Sequence, residues 1–227
     1  MKQILKEYVK GSEQEEQDKK KVCWIDFETG GLDKIKYSIL TAGIIVEIDG
    51  EIYEKDYFTC KAYTEEIITP DATKANGLTP EKIQGHEYDG STLYKAIKDI
   101  FDTYIKEKNK LDKFYFAGFN CPFDRAFLEE LWKLNNDTYC WSFFHGGSVD
   151  VQTILNFLYV SGKMGMPEGQ HRLCDFVRFM NIPIEGALHN SLTDIDATKK
   201  IYELCVNELG VAQEEHIMIV EEEEEEE

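Results

Sequence analysis

Two apolar runs near the start of the chain constrain its fold most strongly. Residues 22–27 (VCWIDF) and 38–48 (SILTAGIIVEI) are rich in β-branched and apolar side chains, which favour strands. Asp49-Gly50 follows the second run, and this dipeptide is typical of a two-residue hairpin turn before residues 51–60. The chain is therefore predicted to begin with three antiparallel strands.

Helical patterns dominate the rest of the chain, and one further strand candidate, residues 114–119, lies among them. The predicted helices span residues 91–108, 123–135, 149–161, 170–180 and 192–208. Strands that come first, followed by alternating strands and helices, predict an α/β fold in which helices cover a sheet.

The composition limits the class of protein. A chain of 227 residues with 42% hydrophobic content is large enough for one domain with a real core. It contains no apolar run of membrane-spanning length and no apolar stretch typical of a secretory signal at its start, so we expect a soluble, cytoplasmic protein without a membrane partner. The six cysteines include no C-x-x-C pair, which favours reduced thiols over a zinc site.

The charge balance limits how the chain could hold nucleic acid. The formal charge is −19, and it is still −12 without the seven glutamates of residues 221–227. Tight non-specific binding of nucleic acid depends on many lysine and arginine contacts with phosphates, and this chain has no surplus of them. Any grip on nucleic acid is therefore expected to be local and to involve cations and a pocket.

The first candidate site is the pair Asp26 and Glu28 in the sequence WIDFETGG. Residues two apart in a strand share one face of the sheet. Two carboxylates beside an apolar sheet repel each other and lose hydration unless a cation lies between them, and oxygen ligands favour Mg²⁺ or Mn²⁺. The alternative is that the pair ends an edge strand and faces water, with Gly30 and Gly31 forming the turn.

Two further acids lie where helices are predicted to begin. Asp124 ends the sequence GFNCPFD, in which Pro122 suits the first helical turn, so this acid could serve only the positive end of the helix dipole. Asp194 ends the sequence HNSLTD after His189, where Ser191 is a candidate N-cap and Asp194 the acidic member of a capping box. A carboxylate at a helix start can also point at a neighbouring strand end, so metal binding remains open for both acids.

Together, the three motifs resemble the exonuclease motifs of the DEDDh family in order and spacing. They are D-x-E after an apolar strand, an acid after N-x-P-F, and H-x-x-x-x-D at the start of a late helix, and the resemblance covers about residues 22–208. The family includes the proofreading ε-type subunits of bacterial replicative polymerases, with RNase T and oligoribonuclease as relatives. The resemblance implies an RNase H-like exonuclease fold, with a mixed and roughly five-stranded sheet flanked by helices.

The resemblance also implies a metal-dependent 3′–5′ exonuclease that releases nucleoside monophosphates. His189 would act as the general base, a function that its near-neutral intrinsic pKa suits. The residues that would bind two Mg²⁺ or Mn²⁺ ions are Asp26, Glu28, Asp124 and Asp194.

Three neighbouring residues are candidate substrate-binding residues by the same resemblance. Phe27 occupies the position that packs near the terminal base in the family, and the backbone around Thr29 would contact the terminal 3′-hydroxyl group. Asn120 matches a family position in the second motif. Strand alternation instead predicts that Phe27 lies in the core, and a helix entry gives Asn120 an equally good local purpose.

The expected substrate is nucleic acid with a free 3′ end, and we expect it to be single-stranded. DNA is favoured, in a proofreading or repair function, because the second motif is closer to the ε-type branch; a polymerase or another replication protein is then a candidate partner. An RNA 3′-trimming enzyme is an alternative, since the sugar preference depends on details of the pocket. A non-catalytic binding module on the same fold is another.

The resemblance divides the chain into three parts. We expect a charged N-terminal extension at residues 1–20, an exonuclease domain at 21–210 and an acidic, glutamate-rich tail at 211–227.

Overall fold

The computed structural model describes residues 19–106 and 111–208. Its strands are β1 (Lys21–Thr29), β2 (Ile39–Ile48), β3 (Glu51–Thr59), β4 (Phe114–Gly118) and β5 (Phe144–Asp150). They form one mixed sheet in the order β3-β2-β1-β4-β5. β2 is antiparallel to both of its neighbours, whereas β4 is parallel to β1 and β5. The expected extension at residues 1–20 lies almost wholly, and the tail at 211–227 wholly, outside the described residues.

The first three strands are the predicted antiparallel unit. Asp49 and Gly50 connect β2 to β3 with positive φ angles of 52° and 87°, as a type I′ hairpin turn requires. β1 lies in the middle of the sheet, between β2 and β4. The alternative that Asp26 and Glu28 end an edge strand is therefore wrong.

All five predicted helices are present, with ends that shift by a few residues. The helices of the described residues are α1 (Pro70–Asn76), α2 (Pro80–Gln84), α3 (Gly90–Tyr104), α4 (Cys121–Leu134), α5 (Val151–Val160), α6 (Leu173–Phe179) and α7 (Ser191–Glu208). A 3₁₀ turn at Cys140–Phe143 precedes β5. The short helices α1 and α2 were not predicted, although each has a threonine N-cap followed by proline.

β5 is the strand that the sequence pattern does not predict. It contains Gly146 and Gly147, which have low strand propensity, and it ends where a helix was expected to begin. Its pairing with β4 is irregular, because Phe114 pairs with Phe144 but Phe116 pairs with Ser148. The glycines lie in this bulge, which is a usual position for glycine in an edge strand.

The sheet separates two apolar cores. On one face, Ile25 and Phe27 of β1 pack with residues of α3 and α4, including the fully buried Phe101 and Trp132. On the other face, Trp24 packs with residues of α5, α6 and α7. Since the side chains of β1 alternate, Asp26 and Glu28 lie on the α7 side of the sheet.

None of the helices in the described part of the chain has the length and apolar character that a membrane crossing requires.

Candidate active site

The predicted acids converge where β1 ends. Asp26 and Glu28 are on β1, Asp124 is in the first turn of α4, and Asp194 is in the first turn of α7. The negative charges of Asp124, Asp194 and Glu28 all act on the carboxyl group of Asp26. One strand and the starts of two helices thus bring together four acids that are up to 168 positions apart in the sequence.

Asp124 is fixed against the backbone of β1. The chain enters α4 through Asn120, which has a positive φ of 61°, and Pro122 lies in the first turn. The side chain of Asp124 is 3% exposed, and its Oδ1 accepts a hydrogen bond from the backbone N–H of Phe27 at 3.0 Å. Phe27 lies between Asp26 and Glu28 in β1, so this hydrogen bond places Asp124 beside both acids. The position of Asp124 is therefore not explained by the helix dipole alone.

α7 begins differently from the prediction. Oδ1 of Asn190 accepts hydrogen bonds from the backbone N–H groups of Leu192 and Thr193, both at 3.2 Å, so Asn190 is the N-cap. The predicted N-cap, Ser191, is wrong: it is the first helical residue, and its hydroxyl is 3.0 Å from the hydroxyl of Thr41 on β2. The prediction differed from the structure because serine and asparagine are both good N-cap residues, and the hydroxyl of Ser191 contacts Thr41 instead of capping the helix.

Asp194 organises the loop that carries His189. Its two carboxylate oxygens accept the backbone N–H of His189 at 3.1 Å and 3.2 Å. His189 has a positive φ of 67°, and its side chain is exposed. A ring nitrogen of His189 and carboxylate oxygens of Glu28 and Asp194 all lie within 4.8 Å of one another. Asp194 therefore holds the backbone of the predicted base at the edge of the acidic cluster.

Burial raises the pKa values of all four acids, and the charges of neighbouring acids add to the shift for Asp26, Glu28 and Asp124. Burial raises the pKa of Glu28 to about 7, and the charge of Asp194 adds to this effect. Burial also raises the pKa of Asp194 to about 7, although the His189 N–H opposes the shift. The pKa values of Asp26 and Asp124 are raised well above the usual range, chiefly by burial.

The cluster fits a divalent cation. Among the ion pairs of residues 19–106 and 111–208, none includes any of the four acids. Several buried carboxylates without a positive partner are costly when ionised, and a bound cation removes that cost. Carboxylate oxygens are hard ligands, and the neighbouring imidazole adds a nitrogen donor.

The sequence matches the model of a known protein family. The family model of the RNase T type, described as "Exonuclease", matches residues 23–202. The chain belongs to this exonuclease family. The match begins just before the first acid pair and ends eight residues after Asp194, so it contains all three motifs. It confirms the predicted family and the enzyme class that goes with it.

Solved structures similar to this exonuclease include three of E. coli exonuclease I. The complex with a dT13 oligonucleotide has a TM-score of 0.71 at 20% identity, and the match covers 85% of this chain and 42% of that chain. The complex with dA16 has a TM-score of 0.69 at 20% identity, with 83% and 41% covered. A zinc-bound complex with single-stranded DNA has a TM-score of 0.70 at 21% identity, with 83% and 40% covered.

These likenesses concern the fold. They confirm the predicted RNase H-like α/β fold with a mixed sheet of five strands. The exonuclease described here spans less than half the length of the exonuclease I chains that it matches. No curated protein is significantly similar to it in sequence.

The three predicted substrate-binding residues lie in different surroundings. Phe27 is 5% exposed and belongs to the core on the α3 and α4 side, as strand alternation predicts. Thr29 is also buried, and its hydroxyl donates to the carbonyl of Gly31 at 2.8 Å. The exposed side chain of Asn120 makes no capping hydrogen bond at the start of α4. Of the three side chains, that of Asn120 is the exposed one.

Two contacts at the site were not predicted. Nδ2 of Asn76, the last residue of α1, is 3.4 Å from the carbonyl oxygen of Thr29, and its side chain also hydrogen-bonds to Glu28. Gly43 on β2 lies directly under α7, since a Cβ there would be 2.4 Å from the carbonyl oxygen of Ser191. A glycine inside an apolar strand is a signal of close backbone approach. Asn76 belongs to the segment NGLTPE, which resembles the family's linker before the long helix, but the resemblance gave it no site function.

Proposed function

We propose that this chain is a metal-dependent 3′–5′ exonuclease that releases nucleoside monophosphates from single-stranded DNA. The observation that carries the proposal is the convergence of Asp26, Glu28, Asp124 and Asp194 with His189 at the end of β1, without a positive partner in the described part of the chain. Membership of the exonuclease family supports the reaction type.

The four acids would hold two divalent cations, Mg²⁺ or Mn²⁺, because the cluster offers mainly carboxylate oxygens. When bound, such ions lower the pKa of a water molecule and stabilise the charge that develops on the phosphate and on the leaving 3′-oxygen. Asp124 and Asp194 are held by backbone N–H groups of Phe27 and His189, so their carboxylates are oriented before any cation arrives.

His189 would take the proton from the attacking water. Its ring is exposed beside Glu28 and Asp194, which leaves room for water and for a phosphodiester. Since Asp194 binds the backbone of His189, one carboxylate serves both the cation and the position of the base. Such a general base contributes on the order of 10²–10⁴ to the rate.

A substitution of His189 separates this function from metal binding. We expect His189→Gln to lower the maximal rate by a factor on the order of 10²–10⁴, because a proton acceptor is lost. The metal concentration that gives half of the maximal rate would stay nearly constant, as measured by titration with Mn²⁺. A large increase in that concentration would instead make His189 a metal ligand.

A single strand is the favoured substrate because the protein is strongly acidic. With a formal charge of −19, it has little long-range attraction for phosphates, so contacts at a 3′ end must supply the affinity. Asn120 and the backbone near Thr29 are the proposed contacts. The similar E. coli exonuclease I binds single-stranded DNA, which favours DNA over RNA. A replication or repair function, a polymerase partner and a cytoplasmic location belong to the same hypothesis.

Digestion of labelled oligonucleotides tests the proposal. Single-stranded DNA and RNA of matched sequence, labelled at the 5′ end, would be incubated with Mg²⁺, with Mn²⁺ and with EDTA, beside the Asp26→Ala variant. We expect a metal-dependent ladder that shortens from the 3′ end, is faster on DNA and is absent in the variant. A faster ladder on RNA would favour 3′ trimming of RNA, and binding without any ladder would favour a non-catalytic module.

A further inference from the structure

An apolar groove lies far from the acids, where the last turns of α5, α6 and α7 meet. Its volume is about 420 Å³. The groove is lined by Leu158, Lys163, Met164, Phe179, Met180 and Leu204. We call it the α5–α7 groove. Leu204 is ten residues beyond Asp194 on the same helix, which corresponds to about 15 Å along the helix axis, so the groove is separate from the active site.

Several apolar side chains of this region are exposed to solvent. Phe179 is 45% exposed and Leu204 is 42% exposed. Tyr159 and Val160, which end α5 directly after Leu158, are 51% and 83% exposed. Apolar area of this extent favours a covering partner, because each side chain that is removed from water contributes to the stability of the complex.

The chain itself provides a segment with matching chemistry. Beyond α7, which ends at Glu208, the sequence continues as LGVAQEEHIMIVEEEEEEE. Residues 217–220 (IMIV) are four consecutive apolar residues in an otherwise acidic stretch, with glutamates on both sides. The groove offers apolar walls and one lysine among its lining residues, Lys163, which suits glutamates at the edge of a docked apolar run.

The lengths also agree. Leu204 is four residues before the end of α7, about 6 Å along the helix axis. Ile217 is nine residues beyond Glu208, and nine extended residues span at most about 30 Å. The segment can therefore reach the groove of its own chain, and the short tether gives it a millimolar effective concentration there.

We propose that residues 217–220 dock into the α5–α7 groove of the same chain. Ile217, Ile219 and their neighbours would cover the exposed walls formed by Phe179 and Leu204. The following glutamates, Glu221 onward, would lie near Lys163. Because the rest of the protein is also acidic, the apolar contacts supply the attraction, and Lys163 compensates charge locally. Docking would cover the exposed apolar groove without obstructing the proposed active site.

Photo-cross-linking in the full-length chain tests this inference. Met218 would be replaced by a benzophenone amino acid, and the cross-linked peptides would be mapped by mass spectrometry in the monomeric fraction. We expect cross-links within one chain to Met164, Phe179 or Met180. Cross-links between two chains, cross-links to other surfaces, or none at all would each overturn the proposal.

A matched pair of substitutions makes the test specific. Leu204→Glu places a charge in the groove, and Leu134→Glu places the same charge on a comparably exposed leucine, 52% exposed, at the end of α4. We expect the cross-link yield to fall about tenfold in the first variant and to stay constant in the second. Equal yields in both variants would overturn the proposal, provided that circular dichroism shows both to be folded.

Discussion

Two groups of carboxylates lie beside α7, and they differ in whether a positively charged side chain pairs with them. At one end of β2, Oε2 of Glu47 is 3.1 Å from Nζ of Lys199 and also accepts a hydrogen bond from Nε1 of Trp24 at 3.1 Å. Lys199 pairs with Glu203 as well. At the end of β1, the four acids of the proposed active site have no ion-pair partner among the described residues.

The difference shows which charges are structural. Lys199 is 8% exposed, and its ammonium group is compensated within the protein, so this group stabilises the packing of α7 on β2. The four acids at the end of β1 instead have pKa values raised by burial, and neighbouring charges raise those of Asp26 and Glu28 further. The same fold that places a lysine against Glu47 leaves the four acids without a positive partner among the described residues, and we infer that cations from solution compensate them.

The largest expected effect comes from neutralising one active-site acid. Asp26→Asn keeps the shape of the side chain but removes a proposed metal ligand. We therefore expect the cleavage rate to fall by a factor on the order of 10⁴. Since the carboxyl group of Asp26 is buried and repelled by its neighbours, the free energy of unfolding in EDTA should not decrease. Urea unfolding and initial rates measure the two quantities.

Glu47→Gln is the matched control for Asp26→Asn. It should retain the cleavage rate and lose stability, because the buried Lys199 then keeps only its exposed partner Glu203. If Asp26→Asn cleaved at the normal rate, or if Glu47→Gln abolished cleavage, the distinction between the two groups would be wrong.

The second effect is on stability alone. Lys199→Met removes the positive member of the compensated group and leaves the partly buried Glu47 without a cation, at a cost of about 3 kcal/mol. The cleavage rate per folded molecule should not change, because Lys199 lies one and a half helical turns beyond Asp194. Thermal unfolding gives the first quantity and active-site titration the second. A lost rate at unchanged stability would contradict the comparison.

The third effect links packing to the active site. In Gly43→Ala, the added methyl group would meet the carbonyl of Ser191 and push the start of α7 away from β2. Asp194 and His189 would move with α7, and a displacement of about 1 Å at a catalytic group costs about 10²-fold in rate. Thr41→Val, which removes a hydroxyl contact with Ser191 without adding bulk at Gly43, should reduce the rate far less.

Strand alternation and the order of the motifs predicted the four acids and their common location. Asp26 and Glu28 follow from the period of a strand, and Asp124 and Asp194 from two helix starts. These are local patterns, which a sequence shows directly. The central position of β1 was not predicted, because the strand order depends on long-range pairing that local patterns do not encode.

Most of the features that were not predicted depend on contacts between distant segments, whereas the short helices α1 and α2 have a local signal, a threonine followed by a proline. Ser191 and Asn190 are both good N-cap residues, and the hydroxyl of Thr41 on β2 decides between them. Gly146 and Gly147 look like a loop, and only pairing with β4 makes them part of a strand. Asn76 reaches Glu28 because α1 packs near the end of β1, a placement that no sequence period reveals.

The smallest expected effect is a pH dependence of stability and metal binding, which should differ between the two groups of carboxylates. In the folded, metal-free protein, Glu28 and Asp194 have pKa values of about 7, above their ordinary values of 4.5 and 3.8. A carboxyl group whose folded pKa is raised binds its proton more tightly when folded, so stability without metal falls as pH rises from about 4 to about 7. Cations compete with these protons, and each proton released strengthens apparent metal binding by up to about tenfold per pH unit over that range.

The increase in Tm that Mn²⁺ causes should therefore grow between about pH 5 and about pH 7 and then level off. Thermal unfolding with Mn²⁺ and with EDTA at each pH measures this increase. Glu28→Gln lacks one of the two titrating groups and should show a weaker dependence on pH, whereas Glu47→Gln, at the compensated group, should keep it. An increase in Tm that is the same at about pH 5 and at about pH 7 would mean that the cation does not replace protons on these acids. The proposed difference between the two groups of carboxylates would then be wrong.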